Sequence, residues 1–184
     1  MGHLDERELR VAGLGHAEAV ARLHADSWRR HYRGAYSDAF LDGDVAEDRL
    51  AVWTDRLREP DPRRCTLLAD DNGSLIGFAN TFFEHHPTWG ALLDNLHVAD
   101  GYKRRGIGSQ LLDATARAAI ERATGLYLWV QEQNVDAQAF YEARAGVFVE
   151  RGPIAPPGGI ASRLNGSPTK LRYAWAHPAA ILRT

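Results

Sequence analysis

The stretch Lys103-Arg104-Arg105-Gly106-Ile107-Gly108-Ser109-Gln110-Leu111-Leu112 decides how this chain is read. Just upstream, Leu92-Leu93-Asp94-Asn95-Leu96-His97-Val98 has strand character, bounded by Gly90 and by the turn Ala99-Asp100-Gly101. Downstream, Leu112, Ala116 and Ile120 recur at the four-residue spacing of a helix face, with Leu111 and Ala119 beside them. A basic, glycine-containing turn therefore joins a strand to a helix N-terminus. Unpaired N–H groups point outward from such an end, and the helix dipole favours negative charge there. Gly106 and Gly108 present no Cβ, so phosphate oxygens can approach the backbone closely. A turn that needs two glycines for geometry alone is the plainer alternative. The run of three cations before it favours a phosphate site.

Two common phosphate loops are excluded. A dinucleotide fingerprint needs G-x-G-x-x-G after an early strand, and here Leu111 stands at the third glycine position. The P-loop pattern G-x-x-x-x-G-K-[ST] is absent. Lys103-x-x-Gly106-x-Gly108 instead resembles the pyrophosphate loop of the GNAT superfamily, the acyl-CoA-dependent N-acyltransferases. That family writes Gln or Arg, two residues, Gly, one residue, then Gly or Ala; Lys103 departs from it while keeping the charge. After Gly125 an alternating strand, Leu126 to Gln131, leads to Asn134 and then to Ala137, Phe140-Tyr141, Gly146 and Phe148. This order and spacing resemble the second GNAT signature. The resemblance runs from about Leu68 to Phe148 and more loosely to the strand Lys170–Trp175.

The resemblance implies one domain over residues 1–184 with the α/β (α+β) GNAT fold. Its sheet would be mixed, mostly antiparallel, with a V-shaped splay and helices on both faces. Acetyl-CoA would be the acyl donor, its pyrophosphate on Lys103, Arg104, Arg105, Gly106, Ile107, Gly108 and Ser109. The pantetheine arm would lie between the two parting strands, against the backbone of Leu96, His97 and Val98, with Asn134, Ala137 and Phe140 on its far side. Tyr141 aligns with the tyrosine that protonates the departing thiolate in many relatives, a task a phenol can perform. The alternative for Tyr141 is packing on the sheet.

The acceptor amine must lose a proton before it attacks. Many relatives carry a Glu for this six residues before the position of Val98, and here that position is Leu92. Asp94 has the parity of Leu92 on the strand and is the first replacement candidate; Glu84, His85 and His86 are others. A segment Ser27-Trp28-Arg29 followed by Tyr32, Gly34 and Tyr36 resembles a GNAT subgroup in which it walls the acceptor site, so Trp28, Tyr32, Tyr36 and Glu84 are candidate substrate contacts. Core packing serves Trp28 equally well. Asp38, Asp42, Asp44, Glu47 and Asp48 give an acidic bias that could draw in a cationic amine, although a solvated helix face explains such charges as readily.

Other chemistry is disfavoured. Glu84-His85-His86 alternates across a strand with no further ligands at metal spacing, so no metal is expected. Cys65, the single cysteine, sits in a probable apolar strand, which argues for direct transfer in a ternary complex over a cysteine-bound acyl intermediate. It also precludes an intrachain disulfide, so a reducing cytoplasm is the expected location. A net charge of −2 argues against general nucleic-acid binding. No apolar run nears the ~18 residues of a membrane span, and no signal-peptide pattern opens the chain. The reading is thus an N-acetyltransferase acting on a small-molecule primary amine; a protein or peptide amine, or a non-catalytic acyl-CoA-binding module, are the alternatives. Homodimers are common in the family, but no interface is legible.

The remaining elements follow from periodicity. Leu9–Ala12 reads as a first strand, His16–His31 and Val45–Arg58 as helices, and Cys65–Ala69 with Leu75–Phe83 as a hairpin. The expected order is β-α-α-β-β-β-α-β-α-β-β, with Gly152–Pro168 as a long loop between the last two strands.

Overall fold

Asn72 and Gly73 take left-handed backbone angles (φ 49° and 81°), which a two-residue hairpin turn demands. They fold β2 (Arg64–Asp71) onto β3 (Ser74–His86) in antiparallel register. The computed structural model describes residues 8–122 and 124–183. The other strands are β1 (Arg10–Val11), β4 (Gly90–Val98), β5 (Leu126–Gln131), β6 (Val147–Pro153) and β7 (Thr169–Trp175). The helices are α1 (Ala17–His31), α2 (Asp38–Asp42), α3 (Val45–Leu57), α4 (Ile107–Glu121) and α5 (Val135–Ala143). One seven-stranded sheet has the order β1-β2-β3-β4-β5-β7-β6, antiparallel at every pair except β4 with β5.

Alternation along β3 divides the core between the two faces. Phe78 joins Val20, Ala21, Trp53 and Leu68 beneath α1 and α3. Ala79 and Phe83 join Leu111, Leu112 and Ala116 of α4 on the other side.

The central feature is where β4 and β5 stop pairing. Ala91, Leu92 and Leu93 are in register with Leu126, Tyr127 and Leu128, and no pairing follows. At that point Thr81 pairs Leu93 while Asn80 pairs Asn95, so Asp94 is the extra residue of a bulge in β4. A bulge bends its strand and sharpens the twist. Beyond it β4 stays bonded to β3 through Val98, and β5 stays bonded to β7 through Gln131. The inner edges of the two strands are left facing each other across a wedge.

Three expectations are corrected. Ser37 accepts a hydrogen bond from Phe40 N and starts the short helix α2, where a connecting segment was expected. β3 continues past Phe83 to His86. The loop before β7 begins at Ile154, because Gly152 and Pro153 pair with Lys170 and Thr169; β6 is an edge strand, where the missing proline N–H costs no ladder bond. Residues 154–168 hold two short 3-10 turns and dock back onto the α1–α2 segment, with Ser37 N donating to Arg163 O and Asn165 N to Ala35 O, both at 2.9 Å. Among the described residues no helix is long and apolar enough to cross a membrane.

Candidate active site

The basic turn and the start of α4 form one anion cradle. Arg104 (φ 61°) and Gly106 (φ 81°) both take left-handed angles, which curls the backbone and turns its N–H groups to one side. No side chain caps the helix at Gly106, and the first helical bond runs from Gln110 N to Gly106 O at 2.9 Å. The amides of Ile107, Gly108 and Ser109 are therefore directed beyond the helix end. Ile107, Leu111 and Leu112 are fully buried, each contributing roughly 1.5–3 kcal/mol, and fix this end of α4 on the sheet. Lys103 Nζ donates to Asp100 Oδ1 at 2.9 Å and to His31 Nε2 at 2.8 Å, which ties the turn to the end of α1. Burial and the Lys103 charge lower the His31 pKa, consistent with a neutral ring accepting that bond. Arg104 and Arg105 are exposed.

The cradle opens onto the wedge. A Cβ placed on Gly108 would meet Phe140 Cζ and Val98 Cγ2 at 3.8 Å and Leu96 Cδ2 at 3.9 Å. Four residues from three elements, all in the anticipated donor site, thus converge at one point. Asn134 Oδ1 accepts from Ala137 N at 3.2 Å and caps α5, so its side chain fixes the helix that presents Phe140. The bulge inverts the phase of β4: Leu96 and Val98 pack toward α4, whereas the His97 ring is buried under α1. There its Nδ1 lies 2.7 Å from Ser27 Oγ, and its ring centroid lies 4.7 Å from that of His24. Burial, with the charges of His31 and Arg49, brings the His97 pKa down to about 3. His24 is likewise lowered, by burial first and then by His97. These are neutral imidazoles supporting the strand from behind.

Tyr141 is buried among Tyr173 and Trp175, with ring centroids at 6.5 and 6.1 Å. Burial raises its pKa well above the ordinary phenol value, and the Tyr32 phenol adds to the rise. Tyr32 is itself pushed up to about 12, by burial first and then by the Asp94 charge. Asp94 sits in the bulge, its Oδ2 2.8 Å from Nη1 of Arg56. Its charge also reaches Tyr36, Tyr127 and Lys170.

Trp28, Tyr32 and Tyr36 form one aromatic cluster, with centroid separations of 4.9 to 5.4 Å. Trp28 and Tyr36 are core members, and the Arg49 guanidinium lies 4.1 Å from the Trp28 ring. Glu84 is not brought here. It is exposed near the opposite end of β4, lining a cavity of about 490 Å³ with His86, Pro87 and Gly125. His86 Nδ1 accepts from Thr88 N and Trp89 N and so caps the β3–β4 turn; His85 Nδ1 lies 2.6 Å from the Tyr127 hydroxyl. Part of the acidic bias is paired: Asp38 and Asp42 share Arg33, and Asp48 pairs with Arg49 and Arg163, while Asp44 and Glu47 are exposed. Cys65 is half-buried on β2, and burial pushes its thiol pKa up.

Reading the sequence alone missed a second group beside the wedge: Trp129 and Gln131 of β5 with Lys170 and Arg172 of β7. Their signal was present as alternation, since Lys170 and Arg172 flank Leu171 two residues apart, but their facing depends on register.

Known proteins share this fold. Residues 23–147 match the Acetyltransferase (GNAT) family. A probable N-acetyltransferase of Mycobacterium tuberculosis is 28% identical over 131 residues, 68% of this chain and 71% of that protein. The L-ornithine N5-acetyltransferase of Arabidopsis thaliana is 33% identical over 98 residues, 49% of this chain and 42% of that protein, so the match spans less than half of the relative. The PaiA N-acetyltransferase of Thermoplasma acidophilum, solved in complex with coenzyme A, superposes with a TM-score of 0.68 at 19% identity, covering 91% of this chain and 98% of that one. The chain belongs to the GNAT acetyltransferase family, the acetyl-CoA-dependent acyltransferases.

Proposed function

We propose that this protein transfers the acetyl group of acetyl-CoA directly to the primary amine of a small molecule, with both substrates bound together. The observation that carries this reading is the wedge: β4 and β5 part at Leu93 and Leu128, directly beside the anion cradle. An extended arm anchored at its phosphate end can lie in such a gap, and the free inner-edge N–H groups near Leu96 and Val98 can polarise its thioester carbonyl. The plant relative is named for a small-molecule amine, which supports that class of acceptor.

In this reading Asp94 accepts the proton of the incoming ammonium, and the freed amine attacks the thioester carbon. The new C–N bond forms as the C–S bond breaks, Tyr141 gives its phenolic proton to the departing thiolate, and the second proton shed by the nitrogen as the amide forms returns to the Tyr141 oxygen. Burial raises both partners, since an apolar wedge disfavours thiolate as well as phenolate. The buried phenol is thus retained in its protonated, donating form.

Thiol release from acetyl-CoA, measured over a panel of amines, tests the proposal. Turnover on a small amine, reduced about 100-fold by Tyr141→Phe, is the expected result. Tight CoA binding with no thiol released on any amine would overturn it and leave an acyl-CoA-binding module.

A further inference from the structure

The face of the sheet next to the wedge carries a cluster that acetyl transfer as derived above does not use. Trp129 pairs with Arg172 and Gln131 pairs with Lys170 across the β5–β7 ladder, so these four side chains share one face. Tyr127 lies on the same face of β5, and its register with Leu92 puts Asp94, two residues on, there as well. Lys170 Nζ lies 4.6 Å from the Trp129 ring centroid and Arg172 Cζ 4.4 Å from it. The ring has room because Gly152, opposite Lys170, has no Cβ; one built there would touch Trp129 at 3.4 Å.

The polar groups of this cluster are incompletely satisfied. Lys170 is half-buried and makes no ion pair or hydrogen bond among the described residues. Arg172 pairs with Glu150 at 2.7 Å through Nη1, yet its buried Nε has no partner. Gln131 is 6% exposed; its amide is near enough to the Tyr36 hydroxyl to act on its pKa, yet neither Oε1 nor Nε2 makes a hydrogen bond of good geometry. Buried polar groups are ordinarily paired, so several unpaired ones at one spot indicate a missing partner. Gln131 and Thr169 also line a neighbouring open cavity of about 390 Å³, bordered by Gly34, Ala35 and Glu132.

Charge limits what that partner is. Lys170 and Arg172 bring two positive charges and Glu150 removes one, while Asp94 is already matched by Arg56. One positive charge is left, next to an amide donor and an indole face. A carboxylate fits that count; a phosphomonoester, at about −1.5 to −2, exceeds it. We infer that the acceptor is an amino carboxylate, its carboxylate held by Lys170 and the Gln131 amide over Trp129, its amine directed toward Asp94. The inference rests on the acetyl-transfer reading and specifies its substrate class.

Matched acceptors test it: ω-amino carboxylates of graded chain length against the amines of the same length lacking the carboxylate. With the unaltered protein, kcat/KM is expected to favour the carboxylate by about 10- to 100-fold, the scale of a charge-assisted hydrogen bond. Lys170→Met collapses that ratio to near unity, and Lys170→Arg restores most of it. Equal use of both acceptors by the unaltered protein, or a ratio unmoved in Lys170→Met, overturns the inference. If neither acceptor is acetylated, the transfer reading fails, and calorimetry on the CoA-loaded protein still decides the anion site. Tighter binding of the carboxylate form upholds it, and equal binding overturns it.

Discussion

Arg56 Nη1 lies 2.8 Å from Asp94 Oδ2 and 3.1 Å from Asn95 Oδ1, so one guanidinium from α3 spans the β4 bulge. The carboxylate is therefore fixed in place while its charge reaches Tyr32, Tyr36 and Lys170. Asp94→Asn keeps an oxygen for Arg56 and removes only the charge. The expected outcome is a fall in kcat of about 100-fold or more, typical of a lost general base, with CoA affinity and thermal midpoint unchanged. A matching loss of CoA affinity would mean that Asp94 shapes the wedge instead of accepting the proton.

Tyr141 leads to a pH profile. Because burial raises its pKa, the phenol keeps its proton throughout the working range. Deprotonation of the acceptor becomes easier as pH rises, so kcat/KM should climb toward pH 9 with no descending limb from this residue. Tyr141→Phe should lower the whole curve without changing its shape. A descending limb below pH 9 that vanishes in Tyr141→Phe would contradict the stated environment.

The basic turn and the start of α4 were legible because their determinants are local: cations, two glycines and a helix pattern within ten residues. The wedge was not. Its cause is the bulge at Asp94, and nothing in Leu92 to Val98 marks where the alternation slips. Parity placed Asp94 with Leu92, but the slip sends the His97 ring under α1 while Leu96 and Val98 face α4. The charge balance around Asp48 was not legible for another reason. Asp48 is neutralised by Arg163, 115 positions away, and only the docked loop reveals that pairing. The helix α2 had a signal, Ser37 ahead of Phe40 and Leu41, too short for periodicity to register.

The paired imidazoles behind β4 make stability depend on pH. His97 has a folded pKa of about 3 and an ordinary unfolded value near 6.5, and His24 is lowered too. Below pH 6.5 the unfolded chain binds protons that the folded one refuses, so stability falls as pH drops from 6.5 toward 3. The loss is about 1.4 kcal/mol per pH unit per histidine, or about 2 kcal/mol from His97 alone at pH 5. His31, lowered by burial first and then by Lys103, acts in the same direction, whereas the lowered carboxylates Asp42, Asp61, Asp100 and Glu132 act only nearer pH 4, below the range from pH 7 to 5. Urea unfolding at pH 7, 6 and 5 measures the slope, and His97→Gln, which keeps an acceptor for Ser27, should flatten it. A midpoint constant from pH 7 to 5 would show that these rings are not buried neutral.

The two glycines of the cradle should respond oppositely to substitution. Gly106 has φ 81° with open space around it, so Gly106→Ala strains the backbone by about 1–2 kcal/mol without any clash. Gly108 lies in the first turn of α4, and a Cβ there meets only ordinary contacts at 3.8–3.9 Å. Gly108→Ala should raise stability by about 0.4–1 kcal/mol through the unfolded chain and leave CoA binding intact, as the family's tolerance of Ala at this position implies. Gly108→Leu would extend into the gap between Phe140, Val98 and Leu96 where the arm must pass. That variant should fold as stably as the parent yet bind CoA at least about 10-fold more weakly, the 1.4 kcal/mol equivalent of partial exclusion. Thermal midpoints and CoA titrations on the three variants separate strain from blockage. Parental CoA affinity in Gly108→Leu would place the arm somewhere other than between β4 and β5.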